Sequence, residues 1–150
     1  MNKALVGKRG ESVAASYLKK HGYEILERNL HVSHQEIDII AINREAIVFV
    51  EVKTRIRTPE SADCYTAPAA AVTYQKQSHL LRAARTYLSR NNYQLQPRMD
   101  VIEVFLAPDD ALSPTERFWE KLSGAFGVPH RKVLLINHIE NAFGMHGYHP

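Results

Sequence analysis

The spacing of apolar residues along the chain predicts two helices and five strands. Ala14, Ala15 and Leu18 follow Glu11 at intervals of three, four and seven residues, which is the spacing of one helix face, and they predict a helix over residues 8–21. A similar pattern predicts a second helix over residues 72–89. Runs rich in apolar and β-branched residues predict strands over residues 23–32, 36–42, 46–54, 99–107 and 132–138. The order α-β-β-β-α-β-β indicates an α/β fold with a mixed central sheet of about five strands, flanked by helices.

The stretch QEIDIIAINREAIVFVEVKTR, residues 35–55, predicts a β-hairpin whose apolar strands are interrupted by carboxylates. If the turn is centred on Arg44 and Glu45, the numbers of opposed residues sum to 89, and Asp38 lies opposite Glu51. Like charges directly opposite one another on neighbouring strands are destabilising, so this pair requires compensation. Two carboxylates at that spacing are close enough to share one cation.

Alternation along the two strands divides the hairpin into two faces. Lys53, two residues beyond Glu51, is expected on the carboxylate face. The other face is expected to carry Ile37, Ile39, Ala41, Val48, Val50 and Val52.

A third carboxylate, Glu11, lies on the apolar stripe of the first predicted helix rather than on its polar side. We expect Glu11, Asp38 and Glu51 to converge with Lys53. Carboxylate oxygens from several elements are the ligands that Mg²⁺ prefers. The alternative is that the E-x-K sequence is an ordinary solvated strand end or an ion pair on one face, which short motifs often are.

Three further basic residues are candidate contacts to nucleic acid. Arg55 and Arg57 share the alternation of Lys53 and would extend a cationic stripe along which a phosphate backbone runs. They are equally consistent with a solvated strand end. Lys76, near the start of the second helix, either contacts a second phosphate or extends its ammonium group to water, and the latter is favoured slightly.

Composition limits the class of protein. The 150 residues, 45% of them apolar, are enough for one domain with its own core, so we expect a single domain over residues 1–150. The chain has no apolar run long enough to span a membrane and no secretory signal, so we expect a cytoplasmic protein without a membrane partner. Cys64 is the only cysteine, which excludes an internal disulfide. The net charge of +3 suits an anionic partner without requiring one.

Residues 107–131 are expected to be an irregular, loop-rich insertion. Phe118, Trp119 and Phe126 lie in it. They are candidates for a dimer contact, a nucleic-acid contact or a lid. The favoured interpretation is that these aromatic rings cover the edge of the core.

Several stretches together resemble a known family. These are GKRGESVAASYLKKHGYEIL, EIDIIA, VFVEVKTR, AVTYQKQSHLLRAARTYL, RMDVIEV and INHIENAF. They resemble the YraN-type family of small bacterial proteins, for which the restriction-endonuclease-like fold of the PD-(D/E)xK nucleases is predicted. By similarity to archaeal Holliday-junction resolvases of that fold, Asp38 corresponds to the first acid of the motif, Glu51 to the second and Lys53 to its lysine. Glu11 corresponds to the acid of the first helix.

The resemblance implies a Mg²⁺-dependent nuclease, with Mn²⁺ as a substitute metal and nucleic acid, foremost DNA, as the partner. Asp38, Glu51 and the backbone carbonyl of Val52 would then hold the metal, with Glu11 as a further ligand. Branched DNA is one expected substrate. The alternatives are a nucleic-acid-binding module of the same fold without turnover, and a protein-interaction domain. The sequence leaves a homodimer open.

Overall fold

The fold is built on a five-stranded mixed sheet in the order β1-β2-β3-β4-β5. The computed structural model describes residues 2–58, 72–127 and 130–145. The strands are β1 Glu24–Val32, β2 Gln35–Ile42, β3 Ala46–Ile56, β4 Gln96–Leu106 and β5 Val133–Phe143, and the helices are α1 Lys3–Lys20, α2 Tyr74–Arg90 and α3 Pro114–Ala125. β3 and β4 run parallel, and the other neighbouring strands run antiparallel. The predicted mixed α/β fold with about five strands is confirmed.

Helices α1 and α2 cover opposite faces of the sheet. α1 buries Val13, Ala14 and Leu18 in a core that includes Val48 and Val50 of β3. α2 buries its apolar face against the other side of the sheet. The strand residues that it contacts are those that point away from α1. The buried residues of that second core include Ile40, Ile47, Phe49, Leu80, Ala83, Ala84, Tyr87, Met99 and Val101. The sheet is therefore the central layer of three, and the carboxyl end of β3 lies between helix-borne residues from both sides.

The β2–β3 hairpin has the predicted register. Its pairs run from Ile42–Ile47 to Ile39–Val50, and the residue numbers of each sum to 89. Asn43 closes the turn, because its side-chain Oδ1 accepts hydrogen bonds of 2.9 Å from the backbone N–H groups of Glu45 and Ala46. A side chain that bonds to the backbone two residues further on is a common turn device. An even-length turn fixes which strand residues face each other.

Ile37 departs from the predicted face assignment. It packs in the α2-side core with Ile40, although alternation placed it with Ile39 on the α1 side. The alternation breaks at Asp38. The opposed residue of β1, Asn29, has φ of +50°, and the β1–β2 pairs on either side of that position do not include it. A residue in the left-handed region interrupts a regular strand.

The prediction of an irregular insertion over residues 107–131 is wrong for most of its length. A 3₁₀ turn, Asp109–Ala111, is followed by the 12-residue helix α3. Ser113 caps that helix: its hydroxyl accepts from the Glu116 N–H at 3.2 Å, and the Glu116 carboxylate accepts from the Ser113 N–H at 2.8 Å. This reciprocal capping stabilises even a short helix.

Buried Arg131 anchors α3 to the end of the sheet. Its Nε donates to the Ala107 carbonyl at 2.8 Å, and its guanidinium also pairs with Glu120 of α3 at 2.9 Å and with Asp109. Arg131 is only 2% exposed, so its bonds to Ala107 and Glu120 are largely shielded from water, whereas Asp109 is mostly exposed. A buried and fully bonded guanidinium fixes the position of the elements that it joins.

The aromatic residues of this segment do not cover the edge of the core, contrary to the favoured interpretation. Phe118, Trp119 and Phe126 are 61%, 53% and 77% exposed, and α3 has no buried residue. The helix is held by Arg131 and by its cap rather than by an apolar seam. In the residues that the structure describes, none of the helices has both the length and the apolar character needed to cross a bilayer.

Candidate functional site

The candidate site lies where β2 separates from β3. The last ladder pair is Ile39–Val50, so Asp38 and Glu51 follow it directly on the two strands. Beyond this point β3 continues to Ile56, paired with β4.

Asp38 bonds to the neighbouring strand through its side chain. Its Oδ2 accepts a hydrogen bond of 2.7 Å from the backbone N–H of Val52. The carboxylate of Asp38 thus takes the role that a β2 carbonyl would have in a continued ladder. This bond fixes the carboxylate beside the Glu51–Lys53 segment of β3.

Glu51 is a buried carboxylate with incomplete compensation. It is 6% exposed, and its Oε1 lies 3.0 Å from Lys53 Nζ. Its Oε2 is 4.0 Å from Lys76 Nζ of α2, at the limit of an ion pair, and has no hydrogen-bond partner among the described residues. A buried charged oxygen without such a partner is unfavourable, and in a native protein it calls for an explanation.

The electrostatic state of Asp38 reflects this crowding. Burial, followed by the negative charges of Glu51 and Glu11, raises its pKa to about 7. The Val52 hydrogen bond and the positive charge of Lys76 act in the opposite direction without cancelling the effect. Without a cation, burial and the neighbouring acids therefore disfavour the charged form of Asp38. Carboxyl groups perturbed in this way concentrate at functional sites.

Gly10 controls how closely α1 approaches β3. A Cβ on Gly10 would overlap the hydroxyl of Thr54 and lie 2.8 Å from the Thr54 Cβ. Only glycine permits this approach. Because Glu11 is the next residue of the helix, the contact also sets the position of the Glu11 carboxylate relative to β3.

Glu11 faces the same charge cluster from the α1 side. Burial raises its pKa, with contributions in the same direction from Glu36 and Glu51, while a hydrogen bond from the Asn29 side chain and the charge of Arg28 lower it. Asn29 thus interrupts β1 opposite Asp38 and also supports Glu11. Periodicity could not single out Asn29, although asparagine is one of the few residues that tolerate a positive φ.

The predicted cationic stripe is only partly free. Arg55 forms an ion pair with Glu103 of β4 at 3.2 Å. The Arg57 N–H continues the pairing of β3 by donating to the Leu106 carbonyl at 3.2 Å. The Nε atoms of both arginines are buried without an acceptor among the described residues. Each guanidinium therefore retains donor capacity next to Lys53.

The acidic residues do not form a complete metal-binding cage. The described part of the chain contains no group of three or more His, Cys, Asp or Glu residues arranged to hold a metal ion. Glu11, Asp38 and Glu51 interact electrostatically but do not form such a group. The protein ligands available at the strand end are the carboxylates of Asp38 and Glu51 and the nearby β3 backbone.

A second buried carboxylate, Asp100 of β4, provides a contrast. Asp100 is 0% exposed, and it accepts hydrogen bonds from Arg98 at 2.9 Å and from the Asn141 N–H at 3.0 Å, with His138 Nε2 at 2.8 Å. Although burial alone would raise the pKa of Asp100, the bonds to His138 and Arg98 hold it below its ordinary value. Asp100 is therefore a fully satisfied structural group, whereas Glu51 is not.

These features define a mixed α/β protein with a buried acid–lysine cluster at a strand end. The sequence model of the uncharacterised protein family UPF0102 matches residues 10–104, more than half of the chain. The chain is 40% identical over 144 residues to a UPF0102 protein of Caldanaerobacter subterraneus subsp. tengcongensis, covering 95% of this chain and 98% of that protein. It is 39% identical over 146 residues to one of Alkaliphilus oremlandii, covering 95% and 100%. The chain belongs to the UPF0102 family, which confirms the YraN-type resemblance.

Proposed function

We propose that the protein is a Mg²⁺-dependent nuclease of the restriction-endonuclease-like fold, which hydrolyses phosphodiester bonds in nucleic acid. One observation carries the proposal: the buried Glu51 carboxylate has an oxygen without a hydrogen-bond partner among the described residues, beside Asp38, whose pKa is raised to about 7. Two buried carboxylates that repel each other are compensated when a divalent cation binds both.

The donor set fits Mg²⁺. This ion is usually held by one or two carboxylates and keeps several water molecules or substrate oxygens as its remaining ligands. Asp38 and Glu51 supply the two carboxylates, and the Val52 carbonyl is the third donor that the family resemblance implies. Glu11 lies within electrostatic range of both acids and supports the site from α1.

A bound Mg²⁺ supplies polarisation of the phosphoryl group and a lower pKa for a bound water molecule. The protein's own residues would hold the metal ion and orient the substrate. The Val52 N–H holds one oxygen of Asp38, and Lys53 holds one oxygen of Glu51, so one carboxylate oxygen of each acid is left for a metal ion. Lys53 is 33% exposed and therefore reaches solvent and substrate while it remains paired with Glu51.

Lys53 stabilises the negative charge that develops on the phosphoryl oxygens during hydrolysis. An ammonium group acts there as a point charge, and it matters most when that charge is largest. Lys76 approaches Glu51 from α2, Arg55 lies further along β3, and Arg57 follows the last residue of that strand. These residues supply contacts for the phosphates on either side of the scissile bond.

The test is single-turnover cleavage in Mg²⁺ by the wild type and the Asp38→Asn variant, on single-stranded, duplex, flap and four-way-junction DNA and on RNA. Glu45→Gln is the matched control, because Glu45 is an exposed acid in the turn of the same hairpin. We expect cleavage of at least one substrate by the wild type and the control, and at least a hundredfold slower cleavage by Asp38→Asn. If the wild type binds Mg²⁺ and nucleic acid but cleaves none of these substrates, the nuclease proposal fails and a binding module replaces it.

A further inference from the structure

A cavity outside the acidic site lies between α1 and α3. It has a volume of about 230 Å³, and its lining includes the cations Arg9 and Lys132, the acid Glu116, and Leu112, Trp119 and His130. Small-molecule pockets begin at about 300 Å³, so the space suits one flat ring system rather than a larger ligand.

The walls of this cavity are fixed before any ligand binds. Arg9 Nε donates to the Arg131 carbonyl at 3.0 Å, which joins α1 to the segment that precedes β5. Arg131 in turn fixes α3 through Glu120. Lys8 adds a second connection by donating from Nζ to the Gly127 carbonyl at 3.0 Å. The cavity is therefore a preformed feature of the fold.

The cavity combines an apolar surface, an aromatic ring and positive charge. Leu112 is 5% exposed, whereas Trp119 is 53% exposed, so the indole retains free surface. Arg131 is fully engaged by its own partners, and Lys132 is paired with Glu116 at 3.3 Å while remaining half exposed. Arg9 uses its Nε for the Arg131 carbonyl, and its guanidinium has two further nitrogens that can donate to a ligand.

An aromatic side chain beside arginine and lysine suits a ligand that is both flat and anionic. Nucleobases stack on aromatic rings, and their phosphates pair with cations. An apolar peptide would leave the charges without partners, and an inorganic anion would leave the indole exposed. A nucleotide uses both features.

The cavity and the acidic site share helix α1. Gly10 faces β3 through its contact with Thr54, and its neighbours Arg9 and Glu11 project about 100° to either side of it, because successive helical residues differ by that angle. Arg9 borders the cavity, and Glu11 faces the carboxylates. The two sites therefore border residues that flank Gly10 on the same turn of α1.

We propose that this cavity binds one unpaired nucleobase of the substrate, with Trp119 as the stacking surface and Arg9 and Lys132 as contacts to the adjoining phosphates. This inference rests on the proposed function. It assigns the substrate an unpaired segment next to the cleavage site. A single strand and a free nucleotide both present this chemistry, a base with an attached phosphate.

Trp119 is the only tryptophan in the chain, so its fluorescence reports directly on the cavity. We would titrate the wild type, in Ca²⁺ to slow cleavage, with single-stranded decanucleotides, with the same strand made abasic at every position, and with mononucleotides. We expect saturable quenching by the normal strand and much weaker quenching by the abasic strand. Saturation by mononucleotides at the same concentration would identify a free nucleotide as the ligand and overturn the strand assignment.

Substitutions separate stacking from folding. Binding of a labelled decanucleotide, followed by anisotropy, should weaken roughly 5- to 150-fold in Trp119→Ala, since stacking of one base is worth about 1–3 kcal/mol. Trp119→Phe should restore part of the affinity. Phe126→Ala is the matched control, because Phe126 is an exposed ring next to the end of the same helix that does not line the cavity, and we expect it to leave affinity unchanged.

Failure here is distinguishable from failure of the proposed function. Unchanged affinity in Trp119→Ala, together with cleavage by the wild type, would overturn the nucleobase site and leave the nuclease intact. Quenching by the normal strand without cleavage of any substrate would leave the nucleobase site intact and overturn the nuclease. Equal quenching by normal and abasic strands would show an electrostatic contact only and overturn the stacking role.

Discussion

The Asp38 carboxylate accepts a hydrogen bond of 2.7 Å from the backbone N–H of Val52, although the β2–β3 ladder has ended at Ile39–Val50. The side chain therefore joins the two strands at the point where their backbones separate. This contact holds one acid of the site rigidly, while the burial that it requires makes the charged form of that acid unfavourable.

We predict that the protein without metal loses stability as pH rises from about 4 to about 7, in part through Asp38. Burial and the neighbouring acids raise its folded-state pKa to about 7 from an ordinary value of 3.8, so the folded state binds the proton more tightly than the unfolded state. The stabilisation is present below pH 4 and is lost as pH passes through 7. At pH 8, Asp38→Asn should be more stable than the wild type by roughly 1–3 kcal/mol.

Urea unfolding in EDTA at pH 4 to 8 measures this difference, because titrating groups outside the cluster of Asp38, Glu51 and Glu11 contribute equally to both proteins. Adding Mg²⁺ at pH 8 should stabilise the wild type and not Asp38→Asn. If the free energy of unfolding changes with pH in the same way in both proteins, the assignment of the raised pKa to Asp38 is contradicted.

Lys76→Ala should shift the pH dependence of Mg²⁺ binding upward. The positive charge of Lys76 lowers the pKa of Asp38 and lies 4.0 Å from the Glu51 carboxylate, so its removal makes protons stronger competitors for the site. Calorimetric titration with Mg²⁺ should show that binding is lost at a higher pH than in the wild type as the solution is acidified, whereas at pH 9, where protons no longer compete, binding should be at least as tight because a charge that repels Mg²⁺ is gone. Lys19→Ala, an exposed lysine on α1, is the control, and an identical profile in all three proteins would exclude this role.

Gly10→Ala should destabilise the protein by about 1–3 kcal/mol, since its methyl group would collide with Thr54 and force α1 away from β3. Gly7→Ala is a matched control on the same helix, because a Cβ there meets nothing within 4 Å. It should stabilise the protein by about 0.5–1 kcal/mol. Thermal unfolding of both variants tests this prediction, and a stabilising effect of Gly10→Ala would contradict the close approach.

The hairpin was predictable because its determinants are local. An even-length turn and strict alternation set the register, and the pairs from Ile42–Ile47 to Ile39–Val50 follow it. Asp38 and Glu51 lie in the two arms of this one hairpin, so the turn alone brings them to the same end. The local sequence pattern therefore predicts that Asp38, Glu51 and Lys53 lie together at one end of the hairpin.

The other features of the fold and of the site depend on contacts between distant segments, or on sequence signals other than the periodicity of apolar residues. The break at Asp38 arises from the positive φ of Asn29 on another strand. The position of Glu11 arises from the contact between Gly10 and Thr54. Helix α3 was missed although the sequence contains its signal, because Ser113 and Glu116 have the spacing of a capping box and Pro114 lies between them.

The most direct test of the nuclease proposal compares the cleavage rate and Mg²⁺ affinity of the wild type and Lys53→Met. Methionine keeps much of the lysine side chain's length and removes its charge, while Asp38 and Glu51 remain. On the substrate that the wild type cleaves fastest, we expect the single-turnover rate of Lys53→Met to fall at least a hundredfold, with Mg²⁺ affinity within about threefold of the wild type, because an interaction made mainly in the transition state alters rate rather than ground-state binding. Equal single-turnover rates in the two proteins would contradict the catalytic role of Lys53 and with it the nuclease proposal.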